Sequence, residues 1–252
     1  MREIAYAKLN LALHVRARAA DGYHRIETLF AFCEDGDVLT AEPGEALSLS
    51  ITGPFADALA GEGDNLVLRA ARAVGARAAI TLDKRLPVAA GLGGGSADAA
   101  AALRMFGGST ELAATLGADV PACLVSRTAR GEGRGDAIEP VDLPGLSGTP
   151  VLLVNPGIPL ATGPVFARWD GIDRGPLRDW ESGRNDLEAP ARALVPEIGA
   201  VLEALSGARI ARMSGSGATC FGLYGNEAAR DAAAARIAAE NKGWWLSQTR
   251  LR

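Results

Sequence analysis

The amino-acid sequence predicts an α+β fold with two domains, and three features support this prediction. Short β-prone segments with alternating apolar residues dominate the first third of the chain. Helical segments alternate with strands from residue 64 onward. A segment rich in proline and glycine at 143–150 separates two halves that have different patterns. We therefore predict an N-terminal domain at 1–147 and a C-terminal domain at 148–252.

The N-terminal half begins with strands and then adds helices. Strands are predicted at 4–15, 27–32, 37–41, 46–52 and 78–87. Helices are predicted at 64–75, in the alanine-rich run 96–106 and at 110–117. Asp64 or Asn65 would cap the first helix, because both side chains can accept a hydrogen bond from a free backbone N–H. The segment after Asp119 is predicted to be another strand.

The C-terminal half alternates strands with longer helices. Strands are predicted at 151–156, 208–215, 217–225 and 244–250. Helices are predicted around 162–169, 185–207 and 226–241. This order is typical of a sandwich in which helices cover one face of a sheet.

Composition excludes several classes of function. The net charge of −4, without a basic cluster, disfavours nucleic-acid binding. No apolar run reaches the roughly 18 residues that a membrane span needs, and the first residues lack a signal pattern, so we expect a cytoplasmic protein without membrane contact. Cys33, Cys123 and Cys220 are far apart and are expected to be reduced structural thiols. Two histidines are too few for a structural zinc site.

The segment GLGGGSADAA, at 91–100, is the most informative stretch of the chain. Glycines allow successive backbone N–H groups to turn toward one anion, and the N-terminus of the helix that follows adds partial positive charge. The segment completes neither the GxGxxG nor the GxxxxGK[ST] pattern, which excludes a Rossmann fingerprint and a Walker loop. A phosphate-binding turn is favoured over a flexible linker or a simple helix cap.

A lysine and an aspartate are candidates for catalysis. Only Lys8, Lys84 and Lys242 are lysines among 26 basic residues, so a lysine here could do what arginine cannot. Lys8 lies in a predicted strand and shares a face with Asn10. An ammonium group beside Asp119 would aim that carboxylate at a substrate hydroxyl during phosphoryl transfer. Alone, however, Asp119 is as readily a turn cap and Lys8 a solvated strand residue.

Two further segments could bind ligands. Tyr23, His24 and Phe30 bring an imidazole and two aromatic rings together in a chain with 5% aromatic residues. They could hold a planar ligand such as a nucleobase, or simply pack in the core. Small residues at 214–218 interrupt a strand pattern, which indicates either a close backbone approach or a β-turn.

Taken together, these segments resemble the GHMP kinases. The motifs that carry the likeness follow one another along nearly the whole chain: AKLNLALHV, ADGYHRIETLF, DNLVLRAA, DKRLPVAAGLGGGSADAA, LGADVP, NPGIPLATGPVF, NDLE and MSGSGATCF. The set is most similar to the members of non-mevalonate isoprenoid precursor biosynthesis that phosphorylate the 2-hydroxyl of a cytidine-diphosphate-linked methylerythritol. The resemblance implies an N-terminal mixed α/β domain, a C-terminal α+β sandwich and an active-site cleft between them.

The resemblance also implies roles for individual residues. Lys8 and Asp119 would be the catalytic pair, with Asp119 as general base. ATP would contact Asn65, Lys84, Pro87, Val88, Ala89, Ala90, Gly91, Leu92, Gly93, Gly94, Gly95, Ser96 and Ala97. The cytidine-linked substrate would contact Asn10, Tyr23, His24, Phe30, Thr162 and Phe166. The 22 residues between Ser96 and Asp119 form a shorter connection than family members usually have.

The sequence leaves alternative functions open, and it predicts a metal ion and an oligomeric state. A GHMP kinase acting on homoserine, mevalonate or a sugar is one alternative, and a nucleotide-binding module without catalysis is another. Mg²⁺ is expected with ATP because the charge of the triphosphate must be neutralised, although the sequence names no ligands for it. We expect a monomer or a weak homodimer.

Overall fold

The computed structural model describes residues 1–61 and 63–252. The N-terminal half contains six strands: β1 (Arg2–Arg18), β2 (His24–Pro43), β3 (Ser48–Thr52), β4 (Ala78–Asp83), β5 (Ala129–Glu132) and β6 (Ala137–Pro140). Its helices are α1 (Leu66–Ala73), α2 (Gly94–Phe106), α3 (Thr110–Leu116) and α4 (Val120–Val125). The strands form one sheet in the order β3-β4-β2-β5-β6, with β1 paired to β2.

The C-terminal half has a second sheet, with the strand order β10-β7-β9-β8. Its strands are β7 (Pro150–Asn155), β8 (Ile210–Met213), β9 (Cys220–Leu223) and β10 (Trp245–Arg250). Its helices are α5 (Thr162–Ala167), α6 (Glu188–Leu194), α7 (Glu197–Ala204) and α8 (Glu227–Glu240). The predicted α+β class is confirmed. The proposed boundary at 147/148 falls between β6 and β7, where the chain leaves one sheet for the other.

Three parts of the prediction were wrong. The segments 27–32 and 37–41 are not separate strands but parts of the long strand β2. The residues after Asp119 form helix α4 instead of a strand, and Pro121 lies in its first turn, where a missing N–H costs no hydrogen bond. The pair β5 and β6 lies in an arginine- and glycine-rich segment for which no strand was predicted.

Three apolar clusters hold the layers together. One packs α1 and α2 against the first sheet, through residues such as Val67, Leu103 and Ile80. A second covers the other sheet with α6, α7 and α8. The third lies between the two sheets, where Leu9 of β1 is fully buried in the same cluster as Phe221 of β9. The two halves therefore share a core, which stabilises their relative position.

The pairing of β1 with β2 is irregular at the residues that matter for function. The register shifts between Tyr6 and Lys8 and again between Asn10 and Ala12. At Gly36, opposite Tyr6, a Cβ atom would lie 1.9 Å from the Ala5 carbonyl oxygen, so a residue larger than glycine does not fit. Such irregularities redirect side chains. They flank the stretch of β1 that carries Lys8 and Asn10.

A buried ionic cluster ties α2 to the first sheet. Lys84 Nζ lies 2.5 Å from Asp37 Oδ2 and 2.7 Å from Asp98 Oδ2, and all three side chains are almost fully buried. The second oxygen of Asp37 accepts hydrogen bonds from the backbone N–H groups of Arg85 and Leu86. Asp98 Oδ1 is buried without a partner in the described part of the chain. Burial, reinforced by Asp37 and opposed by Lys84, raises the pKa of Asp98 to about 7.

Two sequence-based expectations concern whole-chain properties. All three cysteines are free and buried, and burial raises the pKa of each thiol, as expected of structural residues. Among the described residues, no helix combines the length and apolar character needed to cross a membrane.

We expect Asp98→Asn to change how the stability of the fold depends on pH. The pKa of Asp98 rises from its ordinary 3.8 to about 7 on folding. Between pH 3.8 and about pH 7 the folded chain therefore keeps a proton on Asp98 that the unfolded chain has lost. The free energy of unfolding of the unmodified chain should therefore fall, relative to that of the variant, as pH rises through this window. Urea unfolding at pH 5 and pH 7 should show a relative change of about 2 kcal/mol.

Asp142→Asn is the matched control, because Asp142 is exposed and lies outside the cluster. Its pH profile should run parallel to that of the unmodified chain. A parallel profile for Asp98→Asn as well would contradict the assignment of the buried proton to Asp98.

Candidate active site

A cleft of about 910 Å³ lies where β1, the turn before α2, the start of α4 and the region of α5 meet. Most of the predicted site residues line it: Lys8, Asn10, Asn65, Lys84, Pro87, Val88, Ala89, Ala90, Gly91, Gly93, Gly94, Gly95, Ser96, Asp119, Thr162 and Phe166. The predicted residues that do not line it are Tyr23, His24, Phe30, Leu92 and Ala97. Leu92 and Ala97 are buried in the core, so only the rest of the loop can reach a ligand.

The turn before α2 has the backbone geometry that its glycines suggest. Gly91 and Gly93 have φ angles of +75° and +62°, which favour glycine. No side chain in the described residues caps the N-terminus of α2, whose N-cap is Gly93. The first N–H groups of this 13-residue helix are therefore available to an anion, and the helix dipole adds to the attraction.

The small residues at 214–218 pack directly against this turn. A Cβ atom on Gly91 would lie 2.3 Å from the Ser214 carbonyl oxygen, so the two backbones approach as closely as glycine allows. Ser214 Oγ donates to the Gly91 carbonyl oxygen at 2.9 Å, and the Thr219 N–H donates to the Ala90 carbonyl oxygen at 3.1 Å. Of the two sequence-based interpretations, the close backbone approach is therefore the one that the structure supports.

Lys8 and Asp119 are in direct contact, although 111 positions separate them in the chain. Lys8 Nζ lies 2.8 Å from Asp119 Oδ2. The lysine side chain is 5% exposed, whereas that of the aspartate is 35% exposed and faces the cleft. The ammonium group therefore anchors one carboxylate oxygen and leaves the other on the side of the cleft.

The residues around Lys8 hold it in place. Lys8 Nζ also donates to Asn10 Oδ1 at 3.1 Å and lies 4.7 Å from the centroid of the Phe30 ring. Asn10 in turn donates to Thr28 Oγ1 at 2.8 Å. Phe30 is fully buried and does not line the cleft, so it can support Lys8 but cannot contact a ligand there.

Aromatic rings gather at the far end of the cleft. The centroids of His24 and Phe166 are 5.0 Å apart, and Trp169 meets His24 edge to face at 5.6 Å. Burial, together with the positive charge of Arg18, lowers the pKa of His24 below its ordinary 6.5. His24 is therefore neutral at pH 7. Thr162, at the start of α5, is hydrogen-bonded to Ser216 at 2.9 Å.

Tyr23 is placed differently from the other aromatic residues. It is 57% exposed, and the guanidinium of Arg134 lies 4.8 Å from the centroid of its ring. Arg134 belongs to the turn between β5 and β6 and lines the cleft on the same side as Asp119. The pair of Tyr23 and Arg134 thus forms the outer rim of the aromatic end.

The two residues predicted to contact adenine differ in their surroundings. Asn65 caps α1 by accepting a hydrogen bond from the Val67 N–H at 2.8 Å, and it lines the cleft. Lys84 lines the cleft, but its ammonium group forms ion pairs with Asp37 and Asp98. A Cβ atom on Gly94 would lie 3.0 Å from Lys84 Nζ, which places the lysine directly under the start of α2.

Several residues of the site were not identified from the sequence. Arg134 lines the cleft, and Trp169 contacts His24, which packs against the cleft residue Phe166. Asp98 and Ser216 also line the cleft; they lie in the segments 91–100 and 214–218, which were predicted to bind ligands, but were not themselves named. Trp169 follows Phe166 by one helical turn, a spacing that could have signalled a second ring on the same face. Arg134 lies among several arginines of similar appearance, so only the β5–β6 turn distinguishes it.

The oxygen atoms near the turn are few. Among the described residues, no group of three or more histidine, cysteine, aspartate or glutamate side chains could hold a metal ion. Ser96 and Asp119 both line the cleft and offer hard oxygen donors. This donor set fits Mg²⁺, which commonly binds one or two protein oxygens together with substrate phosphates and water.

Comparison with known proteins agrees with the fold. A family model described as the GHMP kinases N terminal domain matches residues 65–127, and one described as GHMP kinases C terminal matches residues 171–243. A solved homoserine kinase from Cytophaga hutchinsonii, with a TM-score of 0.64 at 16% identity, covers 98% of this chain and 95% of its own, and it shows the fold alone.

Relatives with higher sequence identity to this chain show which family of GHMP kinases it belongs to. A 4-diphosphocytidyl-2-C-methyl-D-erythritol kinase from Rhizorhabdus wittichii is 58% identical over 99% of this chain and 94% of its own length. One from Paracoccus denitrificans is 54% identical over 99% and 96%. A crystal structure of 4-(cytidine 5'-diphospho)-2C-methyl-D-erythritol kinase has a TM-score of 0.83 at 34% identity and covers 99% of both chains. The chain therefore belongs to the GHMP kinases, in the family of 4-diphosphocytidyl-2-C-methyl-D-erythritol kinases.

Proposed function

We propose that the chain transfers the γ-phosphoryl group of ATP to the 2-hydroxyl of 4-diphosphocytidyl-2-C-methyl-D-erythritol. The observation that carries this proposal is the contact between Lys8 and Asp119 at 2.8 Å, in the same cleft as the uncapped N-terminus of α2. A phosphate-binding turn and a positioned carboxylate are the two parts that transfer to an alcohol requires. The names of the similar kinases supply the identity of the alcohol.

The turn at 87–96 binds the triphosphate in this proposal. The free N–H groups at the start of α2 belong to residues that line the cleft, and the positive end of the helix dipole favours the phosphate oxygens. Because Ser214 and Gly91 are hydrogen-bonded, the turn is already in place before the nucleotide arrives. Preorganised donors of this kind stabilise charge without a cost for reorganisation during the reaction.

Asp119 acts on the alcohol. Its Oδ2 is held by Lys8, so its Oδ1 accepts the proton of the substrate hydroxyl as the hydroxyl oxygen bonds to the γ-phosphorus. The bond between the γ-phosphorus and the β,γ-bridging oxygen breaks in the same transfer, and that oxygen leaves with ADP. Lys8 fixes the direction of the carboxylate and adds positive charge where the transferred group carries negative charge. Asn10 keeps the ammonium group in position through its own hydrogen bond to Lys8.

The aromatic end of the cleft recognises the cytosine. Phe166 lines the cleft, where a planar base can stack on its ring. His24 packs against Phe166, and Trp169 packs against His24, so these two rings support that surface. Arg134 also lines the cleft, and its half-exposed guanidinium, 3.5 Å from Asp136 Oδ2, can contact the negative charge of the substrate. The neutral imidazole of His24 avoids the cost of burying a charge under the base.

Mg²⁺ accompanies ATP in this proposal. The Ser96 hydroxyl would hold it together with oxygens of the triphosphate. When bound, the ion neutralises charge on the triphosphate. The cytoplasmic location and the monomeric or weakly dimeric state stay predictions.

Asp119→Ala tests the proposed role of the carboxylate. A general base contributes about 10²–10⁴-fold to the rate, so kcat should fall by that factor. The affinity for ATP should change little, because the turn before α2 is intact. The measurement is steady-state phosphorylation of 4-diphosphocytidyl-2-C-methyl-D-erythritol, with ATP binding measured separately by calorimetry.

Asp142→Ala is the matched control for this experiment, because Asp142 is an exposed carboxylate outside the cleft. The kcat of this variant should stay within about twofold of that of the unmodified chain, as expected for a neutral surface substitution. Retention of most of the activity by Asp119→Ala would reject the role of Asp119 as general base.

Two results with the unmodified chain would support the alternative functions. Binding of ATP without transfer of phosphate to any alcohol would support a nucleotide-binding module. Turnover of homoserine or mevalonate alone would indicate another GHMP kinase.

Phe166→Ala and His24→Ala test recognition of the cytosine. Loss of one stacking ring should raise KM for the cytidine-linked substrate by roughly tenfold, at about 1–1.5 kcal/mol per ring contact, and should leave KM for ATP within about twofold. Phe55→Ala is a suitable control, because Phe55 packs edge to face on Trp245 and does not line the cleft. Equal increases in both KM values would count against a cytosine site at this end.

A further inference from the structure

A second cavity, of about 620 Å³, lies in the C-terminal half of the chain. The end of α5, the loop before α6, the helix α6 itself and the end of β8 form its walls. It shares no lining residue with the active-site cleft, and no residue predicted from the sequence lines it. The proposed phosphotransfer makes no use of it.

The charges of this cavity are not balanced. Four arginines and three carboxylates line it: Arg168, Arg174, Arg184, Arg212, Asp170, Asp186 and Glu188. Arg174 pairs with Asp170, Arg184 pairs with Asp186, and Glu188 is engaged by Arg192 outside the cavity. Within the described part of the chain, Arg168 and Arg212 form no ion pair. The lining therefore includes two arginines outside any ion pair in the described residues, and its four arginines outnumber its three carboxylates.

Arg212 is held rigidly in the wall. It is only 8% exposed, and its guanidinium donates to the backbone carbonyl oxygens of Leu11, Trp180 and Glu181. These acceptors are neutral, so they fix the side chain without cancelling its charge. Burial lowers the pKa of Arg212, and the negative charges of Glu188 and Asp179 oppose this shift.

Donors remain free around the cavity. A guanidinium has five N–H groups, and the three carbonyl bonds of Arg212 leave its Nε–H and one hydrogen of Nη2 without an acceptor in the described residues. Trp169 also lines the cavity, and its Nε1–H is buried with no hydrogen-bond partner among them. Buried donors normally have acceptors, so the Nε1–H group of Trp169, together with the free N–H groups of Arg212, indicates an oxygen-rich ligand.

We propose that this cavity is a second binding site, for a small molecule that carries a phosphate or diphosphate group. A phosphate monoester carries about −1.5 to −2 charges at pH 7, which matches the two unpaired arginines better than the single charge of a carboxylate. Its several oxygens can accept from both free N–H groups of Arg212 and also from Arg168.

The position of the site connects it to the active-site cleft. Trp169 contacts His24 at the aromatic end of that cleft. Asn185, another lining residue, donates to the carbonyl oxygens of Met213 and Gly215, beside the turn before α2. A ligand in the second cavity would therefore touch two residues that also support the active site.

Calorimetric titration with inorganic pyrophosphate tests the proposal, carried out on the full chain after its nucleotide site at the turn before α2 has been saturated with a non-hydrolysable ATP analogue. We expect one equivalent of binding that Arg168→Ala and Arg212→Lys each weaken by roughly tenfold, on the scale of one lost charge-assisted contact. Arg168 is exposed, so its variant should fold normally even if replacement of the buried Arg212 perturbs the chain. Arg178→Ala is the control, because Arg178 is exposed and lines neither cavity, and it should bind as the unmodified chain does.

Three results would overturn the proposal. Pyrophosphate binding that is unchanged by Arg168→Ala and Arg212→Lys would place the ligand elsewhere. Equal weakening by Arg178→Ala would reduce the effect to overall charge. Binding of succinate as tight as that of pyrophosphate would show that the site does not select phosphate.

Discussion

The close approach of two backbones, at Gly91 and Ser214, is the constraint on which the rest of the site depends. No Cβ atom fits on Gly91, because it would lie 2.3 Å from the Ser214 carbonyl oxygen. This contact joins the turn before α2 to the C-terminal sheet, so the phosphate-binding turn is shaped by both halves of the chain. The shared core between the two sheets keeps the halves in the required position. The catalytic geometry is thus a property of the whole fold.

The three cationic residues that line the cleft have different partners and therefore different roles. Lys8 is committed to Asp119 and directs the carboxylate. Lys84 is buried between Asp37 and Asp98 and ties α2 to the sheet, so its charge serves the support of the turn. Arg134 stays half-exposed at the rim, where it can meet the substrate. This division explains how a chain with a net charge of −4 can present positive groups to two phosphorylated ligands.

Local patterns predicted much of this arrangement, and long-range contacts account for most of what they missed. The phosphate-binding turn and its helix were readable because glycine spacing and helix formation act over a few residues. The contact between Lys8 and Asp119 spans 111 positions, so the residues alone could suggest it only as one of several possibilities, and the resemblance was needed to favour it. The helix after Asp119 was mistaken for a strand because its six residues are mostly apolar and too short for periodicity to decide. Burial of Lys84 depends on Asp37 from a distant strand, which no local pattern shows.

A crystal structure with a non-hydrolysable ATP analogue and 4-diphosphocytidyl-2-C-methyl-D-erythritol would test the central claim most directly. We expect the polyphosphate to contact the backbone N–H groups at 91–96. We expect the 2-hydroxyl to lie between the γ-phosphate and Asp119, within hydrogen-bond distance of the carboxylate. A nucleotide bound away from this turn, or an Asp119 side chain remote from the γ-phosphate, would contradict it.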